Sequence, residues 1–467
     1  MLEKLKSSKN KFVNIAEPAF NILLLVYAFL GTNCITFGKS VISPVMWLTF
    51  LAGGILILNR VLHIKEYSRT PFEWLLVAFL VFGCVSLALN IKYDLKGNFL
   101  FLINWAFYFI LLYVQNKNKT DVQAKKDFKI LAFAFVIIVE IAVIVSIIML
   151  FIGYSLREQL SNKQLLGGFV DSRLYGLFTD PNVGATSAVV ATVLLIAGFI
   201  SIKKKIVKIF AVVFSLLNFF YVALSDSRTG MVVAGVVGFV FSLLLLIRAF
   251  KEKRLSSLIS VVLAFVIAGI SAVAPYVIKI SYNKAIEIRN EIILSKGDGA
   301  EDGNDKIKNE IVKRDYDLSG DISNRRFSVW QSGFEIWRSK PIFGTTYNGF
   351  TPYAKENMPQ TYIVNNDYMD MITFDNEIIN ILVSNGICGL VVFMIFAVAI
   401  FVYLIMGIKY VKKENLTVFA AMFSISCAIA VSAMFRSAVI YYFSVNSIIF
   451  WAALGVMTVI IRRDKEK

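Results

Sequence analysis

One histidine, His63, occurs in 467 residues. A His-rich metal site is therefore excluded, and because His63 lies in a basic loop assigned below to the cytoplasm, so is a histidine triad on the outer face. The four cysteines, Cys34, Cys84, Cys388 and Cys427, form no CxxC pair and sit within or beside apolar runs, as small buried hydrophobes do. P-loop, GxSxG and Rossmann fingerprints are missing, which leaves nucleotide-driven pumping and serine hydrolysis without support. No internal repeat is evident.

What the chain has in excess is apolar surface: 57% hydrophobic residues and a mean hydropathy of +0.69. Soluble domains carry roughly 45 to 50% apolar residues even counting glycine. The net charge of +16 must accordingly be read against a bilayer and not against nucleic acid. A span needs roughly 20 apolar residues. Twelve runs qualify, at 19–37, 41–58, 72–89, 98–114, 128–153, 183–202, 206–224, 229–247, 258–278, 376–408, 416–435 and 438–461. The fold expected is an all-α polytopic membrane protein of about 12 helices, organised as spans 1–9 (1–278), a long outer loop (279–375) and spans 10–12 (376–467) in one integral membrane unit.

Lys and Arg accumulate on the cytoplasmic side. Alternate connections carry Arg60, Lys65 and Arg69; Lys117, Lys119, Lys125 and Lys126; Lys203–Lys205; Lys251, Lys253 and Arg254; Lys409, Lys412 and Lys413. With Lys4, Lys6, Lys9 and Lys11 at one end and Arg462, Arg463 and Lys465 at the other, both termini are expected inside. The first span has the basic flank of a signal sequence but no small-residue cleavage site, so it should remain as an anchor. The outer face then receives 153–182, 225–228, the long loop and a turn at Arg436.

That loop is longer than any connection requires. Residues 296–321 are rich in charge of both signs and predict a mobile or weakly helical stretch. Beyond it, Phe327, Trp330, Phe334 and Trp337 fall at helical spacing before Pro341, which predicts a helix lying on the outer interface.

The polar inventory at the outer mouths is small. Arg173 precedes Asp180, Pro181 and Asn182, where Asp reads as a helix cap and Pro as the first helical residue. Arg228 opens the eighth span behind Asp226 and Ser227, two capping candidates. Arg326 lies four residues before Trp330. Asp375 precedes a tenth run of 33 residues, about 50 Å as a helix, whose first turns must protrude or bend. Asn380, Ser384, Asn385, Gly386 and Gly389 lie in those turns and are expected to line an outer polar cavity. The competing structural readings are ordinary caps for Asp375 and the Asp226–Ser227 pair, and headgroup-bound or snorkelling arginines. Glu140, in mid-span, requires a partner or a proton and reads as an interhelical contact. Arg436, followed by Tyr441 and Tyr442, is either an interface anchor or a further phosphate ligand.

Several arginines and one carboxylate on an outward face suggest handling of a phosphorylated lipid, because guanidinium forks match phosphate oxygens bidentately. Transporters place charges at mid-membrane depth, whereas here they crowd the outer mouths.

RLYGLFTDPNVGA, SDSRTG, RFSVWQSGFEIWRSKPIFGTTYNGF and DNEIINILVSNGICGL resemble, in order, the motifs of the O-antigen ligase and Wzy-type polysaccharide polymerase superfamily. The resemblance covers roughly 173–461. It implies a GT-C-type architecture and an inverting glycosyltransferase that needs no metal or other cofactor. The substrates implied are undecaprenyl-pyrophosphate-linked sugars on the outer face of a bacterial cytoplasmic membrane. By the same resemblance Arg173, Arg228 and Arg326 hold the donor pyrophosphate and Asp375 serves catalysis, with Asn182, Asn376 and Arg436 as further substrate contacts. Ligases of the superfamily carry a His-Asn pair where this chain has Asp375 and Asn376, so the reading is a capsule or O-antigen repeat-unit polymerase, with ligase and lipid-linked oligosaccharide flippase as alternatives. Membrane lipids, lipid-linked oligosaccharides and a chain-length regulator are the partners that fit it.

Overall fold

The computed structural model describes residues 2–160, 164–251, 256–295, 311–312, 325–366 and 371–466. In chain order the helices are α1 (Leu2–Leu30), α2 (Ile42–Leu62), α3 (Ile64–Tyr67), α4 (Glu73–Leu89), α5 (Leu95–Ala106) continued by a π-helical turn (Phe107–Tyr113), and α6 (Asp121–Phe151). Three strands follow, β1 (Ser155–Gln159), β2 (Gln164–Val170) and β3 (Arg173–Gly176). Then come α7 (Pro181–Ser201), α8 (Lys205–Leu224), α9 (Arg228–Lys251), α10 (Ser257–Ser295), α11 (Arg326–Ser339), α12 (Phe350–Asn357), α13 (Glu377–Gly407), α14 (Lys413–Ser432) and α15 (Val445–Glu466).

Ten helices among the described residues are long and apolar enough to cross a membrane, and Ile15–Leu30 and Glu73–Leu89 are shorter apolar helices. Each of the twelve apolar runs thus falls on a helix, and the chain is an all-α polytopic membrane protein. The expected charged stretch at 296–321 lies outside the described residues except for 311–312.

Three boundaries differ from expectation. The ninth run continues as helix to Ser295, so the long loop begins inside α10. The segment 153–182 is not a plain loop: β1, β2 and β3 pair antiparallel in sequence order, with Ser155 opposite Gly168 and a bulge between Gly168 and Phe169. The twelfth run starts its helix only at Val445, because the preceding residues form an extended loop whose amides are held by Glu377.

The described residues of Met1–Gly31, Thr36–Phe135 and Arg325–Lys467 form one compact unit. Its centre is α15, almost wholly buried, with Trp451 packed between Tyr108, Phe109 and Phe396. The same unit holds a second apolar core built by α11, α12 and the head of α13, where Val329, Ile336, Phe350, Ile363, Phe374 and Ile379 meet. Helix α11 therefore buries Val329, Ser332, Gly333 and Ile336. The aromatic stripe runs along the edge of that face: Phe327 and Phe334 are exposed, while Trp330 and Trp337 lean onto the core and donate to the carbonyls of Phe374 and Pro341.

The long α13 does bend, at Gly386, whose φ of 65° and ψ of −167° leave the helical region. A break in a membrane helix must have its freed backbone groups satisfied. Segment 341–346 does this. Ile387 N–H donates to Pro341 O at 2.9 Å, Thr345 N–H to Val383 O at 2.9 Å and Thr346 N–H to Ser384 O at 3.0 Å.

Residues Thr32–Ile35 with Val136–Asn324 form the other unit. Helix α10 exposes most of its apolar surface, as a lipid-facing span does, while α7 is mostly buried between neighbours. Glu140 on α6 accepts a hydrogen bond from Asn218 Nδ2 on α8 at 2.8 Å, the interhelical contact expected of it. Val312 returns to α10, exchanging hydrogen bonds with the Asn283 side chain at 2.8 and 3.0 Å.

Candidate functional site

Each compact unit carries its own polar cluster. In the unit that contains α7–α10, the cluster gathers at helix starts. Asp180 caps α7, its Oδ1 accepting the amides of Asn182 and Val183, with Pro181 as the first helical residue. Asn182 Oδ1 accepts from Ser227 Oγ at 2.7 Å, and Ser227 Oγ in turn accepts the Gly230 amide at 3.0 Å. Ser227 is thus the cap of α9. Asp226, the other capping candidate, does something else: its backbone is left-handed at φ 46° and its carboxylate pairs with Lys279 of α10 at 2.9 Å. Both side chains of that pair are mostly buried.

Arg173, at the start of β3, donates from Nε to Ser225 O at 3.0 Å and lies 5.8 Å from the Tyr175 ring centre. Arg228 is the first residue of α9 and is exposed. Arg173, Asn182 and Ser225–Arg228 are thereby gathered around two helix N-termini, where the helix dipoles favour an anion. Lys279 adds a cation that sequence reasoning missed. In the sequence it is the first polar residue after an apolar run, and nothing there connects it to SDSRTG.

The second cluster borders the second apolar core of the other unit. Asn376 caps α13: its Oδ1 accepts the amides of Ile378 and Ile379 at 2.9 and 3.2 Å, and its Nδ2 donates to Met434 O at 3.1 Å. Asp375 is not the cap. It stands one residue ahead in left-handed backbone at φ 49°, a conformation L-residues adopt rarely and that concentrates at functional positions. Trp330 Nε1 holds the neighbouring Phe374 carbonyl at 3.0 Å, which ties the Asp375 segment to the helix that begins with Arg326. Burial raises the Asp375 carboxyl to about 6, and Arg326 nearby only partly offsets that rise. Arg326 itself lies 5.9 Å from the Phe435 ring centre.

Glu377 is buried and accepts four backbone amides, from Ala438 at 2.9 Å, Val439 at 3.5 Å, Ile440 at 2.8 Å and Tyr441 at 3.2 Å. This carboxylate shapes the loop that carries Arg436, whose guanidinium stacks 4.7 Å from the Tyr442 ring centre. Asn380 binds the Phe374 amide and Ser437. Asn385 accepts from Tyr441 Oη, and Asn385 with Ser384 borders a cavity of only about 20 Å³. Around that cavity the side chains form a hydrogen-bonded layer with room for about one water.

Tyr347 also belongs to this cluster. It stacks on Tyr441 at 4.6 Å, and its hydroxyl pKa is raised by burial and, in smaller measure, by Glu377 and Asp375. It lies in GTTYNGF, a motif visible in the sequence without any sign of which residue mattered.

Residues 210–394 match the O-antigen ligase family. That stretch is similar to an O-antigen ligase domain. The match supports the ligase and Wzy-type superfamily and points to a membrane enzyme of the O-antigen ligase or polymerase type. With the candidate spans, it points to a multi-pass bacterial membrane protein. No curated protein matches the chain. The O-antigen ligase match takes in Arg228, Lys279, Arg326, Asp375, Asn376 and Glu377, and leaves Arg173, Asn182 and Arg436 outside it.

Proposed function

We propose that the chain is a repeat-unit polymerase acting on polyprenyl-pyrophosphate-linked oligosaccharides, an inverting glycosyltransferase of the GT-C type. The observation that carries this reading is Asp375, a strained, partly buried carboxyl near Arg326 whose pKa of about 6 suits it to accept a proton at neutral pH.

In this reading the sugar hydroxyl of one lipid-linked repeat gives its proton to Asp375, and its oxygen bonds to the anomeric carbon of the donor. The anomeric carbon–oxygen bond breaks, its electron pair leaves on the lipid pyrophosphate, and the anomeric configuration inverts. Arg173, Arg228 and Arg326 bind the pyrophosphate, with Asn182, Asn376 and Arg436 as further substrate contacts. The Asn376 side chain also caps α13 and donates to Met434 O, which fixes the backbone next to Asp375. At about 4 Å and an effective dielectric near 20, one arginine contributes on the order of 4 kcal/mol of gross attraction to a phosphate charge. Developing negative charge on the leaving group strengthens that term in the transition state.

The family match also favours a second reading, a ligase that passes a finished chain to another acceptor. Purified protein in liposomes supplied with lipid-linked repeats separates the two. Chains lengthening on lipid support the polymerase; transfer only when a second acceptor is added supports the ligase. Movement of unpolymerised repeats between leaflets, with neither product, overturns both in favour of a flippase. Accessibility labels at Lys355 and Lys412 test the sidedness, since the first should react from outside and the second from inside.

A further inference from the structure

A second charged site lies at the opposite end of α13, among residues that the reading above does not use. The last turn of α13, the end of α15 and the segment after α3 enclose a pocket of about 410 Å³. Four cationic side chains line it, Arg69, Lys409, Arg462 and Lys465. The carboxylate on its wall is Glu466, and that group is engaged by Arg463 at 2.8 Å. The nearby Asp464 is buried and spent on the Lys412 amide and the Asn415 side chain. Cationic charge in the pocket is therefore in excess.

Lys409 and Lys465 both lie over the Tyr410 ring, 4.9 and 5.4 Å from its centre. Arg462 keeps a buried Nε without a hydrogen-bond partner, and its terminal nitrogen reaches Asn116 O only at 3.4 Å. The rest of the wall is apolar, including Pro71, Met406 and Ile461. Leading to the pocket along α13, Phe401, Val402, Ile405 and Met406 are 45 to 60% exposed. A helix that spans a bilayer turns such a face to acyl chains. An anion with a tail fits both halves of this surface, the headgroup in the pocket and the chains along α13.

We infer that this pocket binds the phosphodiester headgroup of an anionic phospholipid, in the leaflet that the distribution of basic loops assigns to the cytoplasm. Free phosphate shares the headgroup chemistry but not the apolar approach, so the lipid is the ligand.

Native mass spectrometry of the full-length protein in neutral detergent, titrated with phosphatidylglycerol or phosphatidylcholine, tests this. Wild type should retain phosphatidylglycerol at activation energies that strip phosphatidylcholine. Lys409→Gln/Lys465→Gln should lower its apparent affinity for phosphatidylglycerol about tenfold or more. Both lysines are exposed, and an unchanged thermal unfolding profile will show that the variant is folded. Lys203→Gln/Lys204→Gln, which removes the same charge elsewhere, should bind as wild type does. Equal retention of both lipids, equal loss in the control variant, or displacement of the lipid by millimolar inorganic phosphate would each overturn the inference.

Discussion

Asn376 Oδ1 accepts the Ile378 amide at 2.9 Å, so the cap of α13 belongs to Asn376 and Asp375 is released from that duty. Capping, which the sequence left open to the carboxylate, falls to its neighbour. The competing reading of Asp375 as a plain cap does not survive: its amide donates to Thr373 Oγ1 at 3.1 Å and its carboxylate faces the charge of Arg326.

Asp375→Asn should lower polymerisation by about 100-fold or more while keeping shape and hydrogen-bonding capacity. In the wild type, activity should fall as the pH drops through about 6, where the carboxylate takes up its proton. The stability sign is opposite to that of a paired carboxylate. Because the folded state binds this proton more tightly than the unfolded one, ionisation costs stability as the pH rises from about 4 to 6. Asp375→Asn should therefore be more stable than wild type by about 1 to 3 kcal/mol at pH 8, with the gain vanishing near pH 4. Unfolding midpoints at both pH values check this, and a destabilised Asn variant at pH 8 would contradict it.

Arg228→Ala should reduce turnover about 100-fold, and Arg228→Lys should remain strongly impaired because the charge returns without the fork. Lys279→Gln is expected to differ. It breaks the mostly buried Asp226–Lys279 pair beside SDSRTG, so stability should fall along with activity. Measured at matched folded protein, normal activity in Arg228→Ala would make that arginine a membrane-interface anchor.

Glu377→Gln keeps the size but turns a donor toward amides that need acceptors. Loss of roughly 2 kcal/mol or more of stability is expected, with faster hydrogen exchange at 438–441. If exchange there is unchanged while activity disappears, Glu377 acts on substrate and not through the loop.

Gly386→Ala places a Cβ against the Ile342 backbone at a φ of 65°, and Gly344→Ala meets the Val383 carbonyl at a φ of 70°. Each should cost about 2 kcal/mol or more, since neither the left-handed strain nor the backbone contact can relax without separating α13 from segment 341–346. Thermal unfolding in detergent reads both.

The twelve apolar runs were legible in the sequence because burying apolar surface in a bilayer depends on composition and length alone. The cap at Asp180 was legible too, as a local pattern of Asp and Pro ahead of an apolar run. Other assignments depended on partners far along the chain. Asp226 reads as a cap until Lys279 is beside it; Glu377 reads as an ordinary first-turn carboxylate until four amides some 60 residues later converge on it. The polar turns of α13 gave no sign of their partners, and tertiary packing brought Tyr441, Ser437 and segment 341–346 against them. The pKa of Asp375 was undecidable in the sequence for the same reason. Burial raises it and Arg326 lowers it, and only the fold sets how much water each group loses.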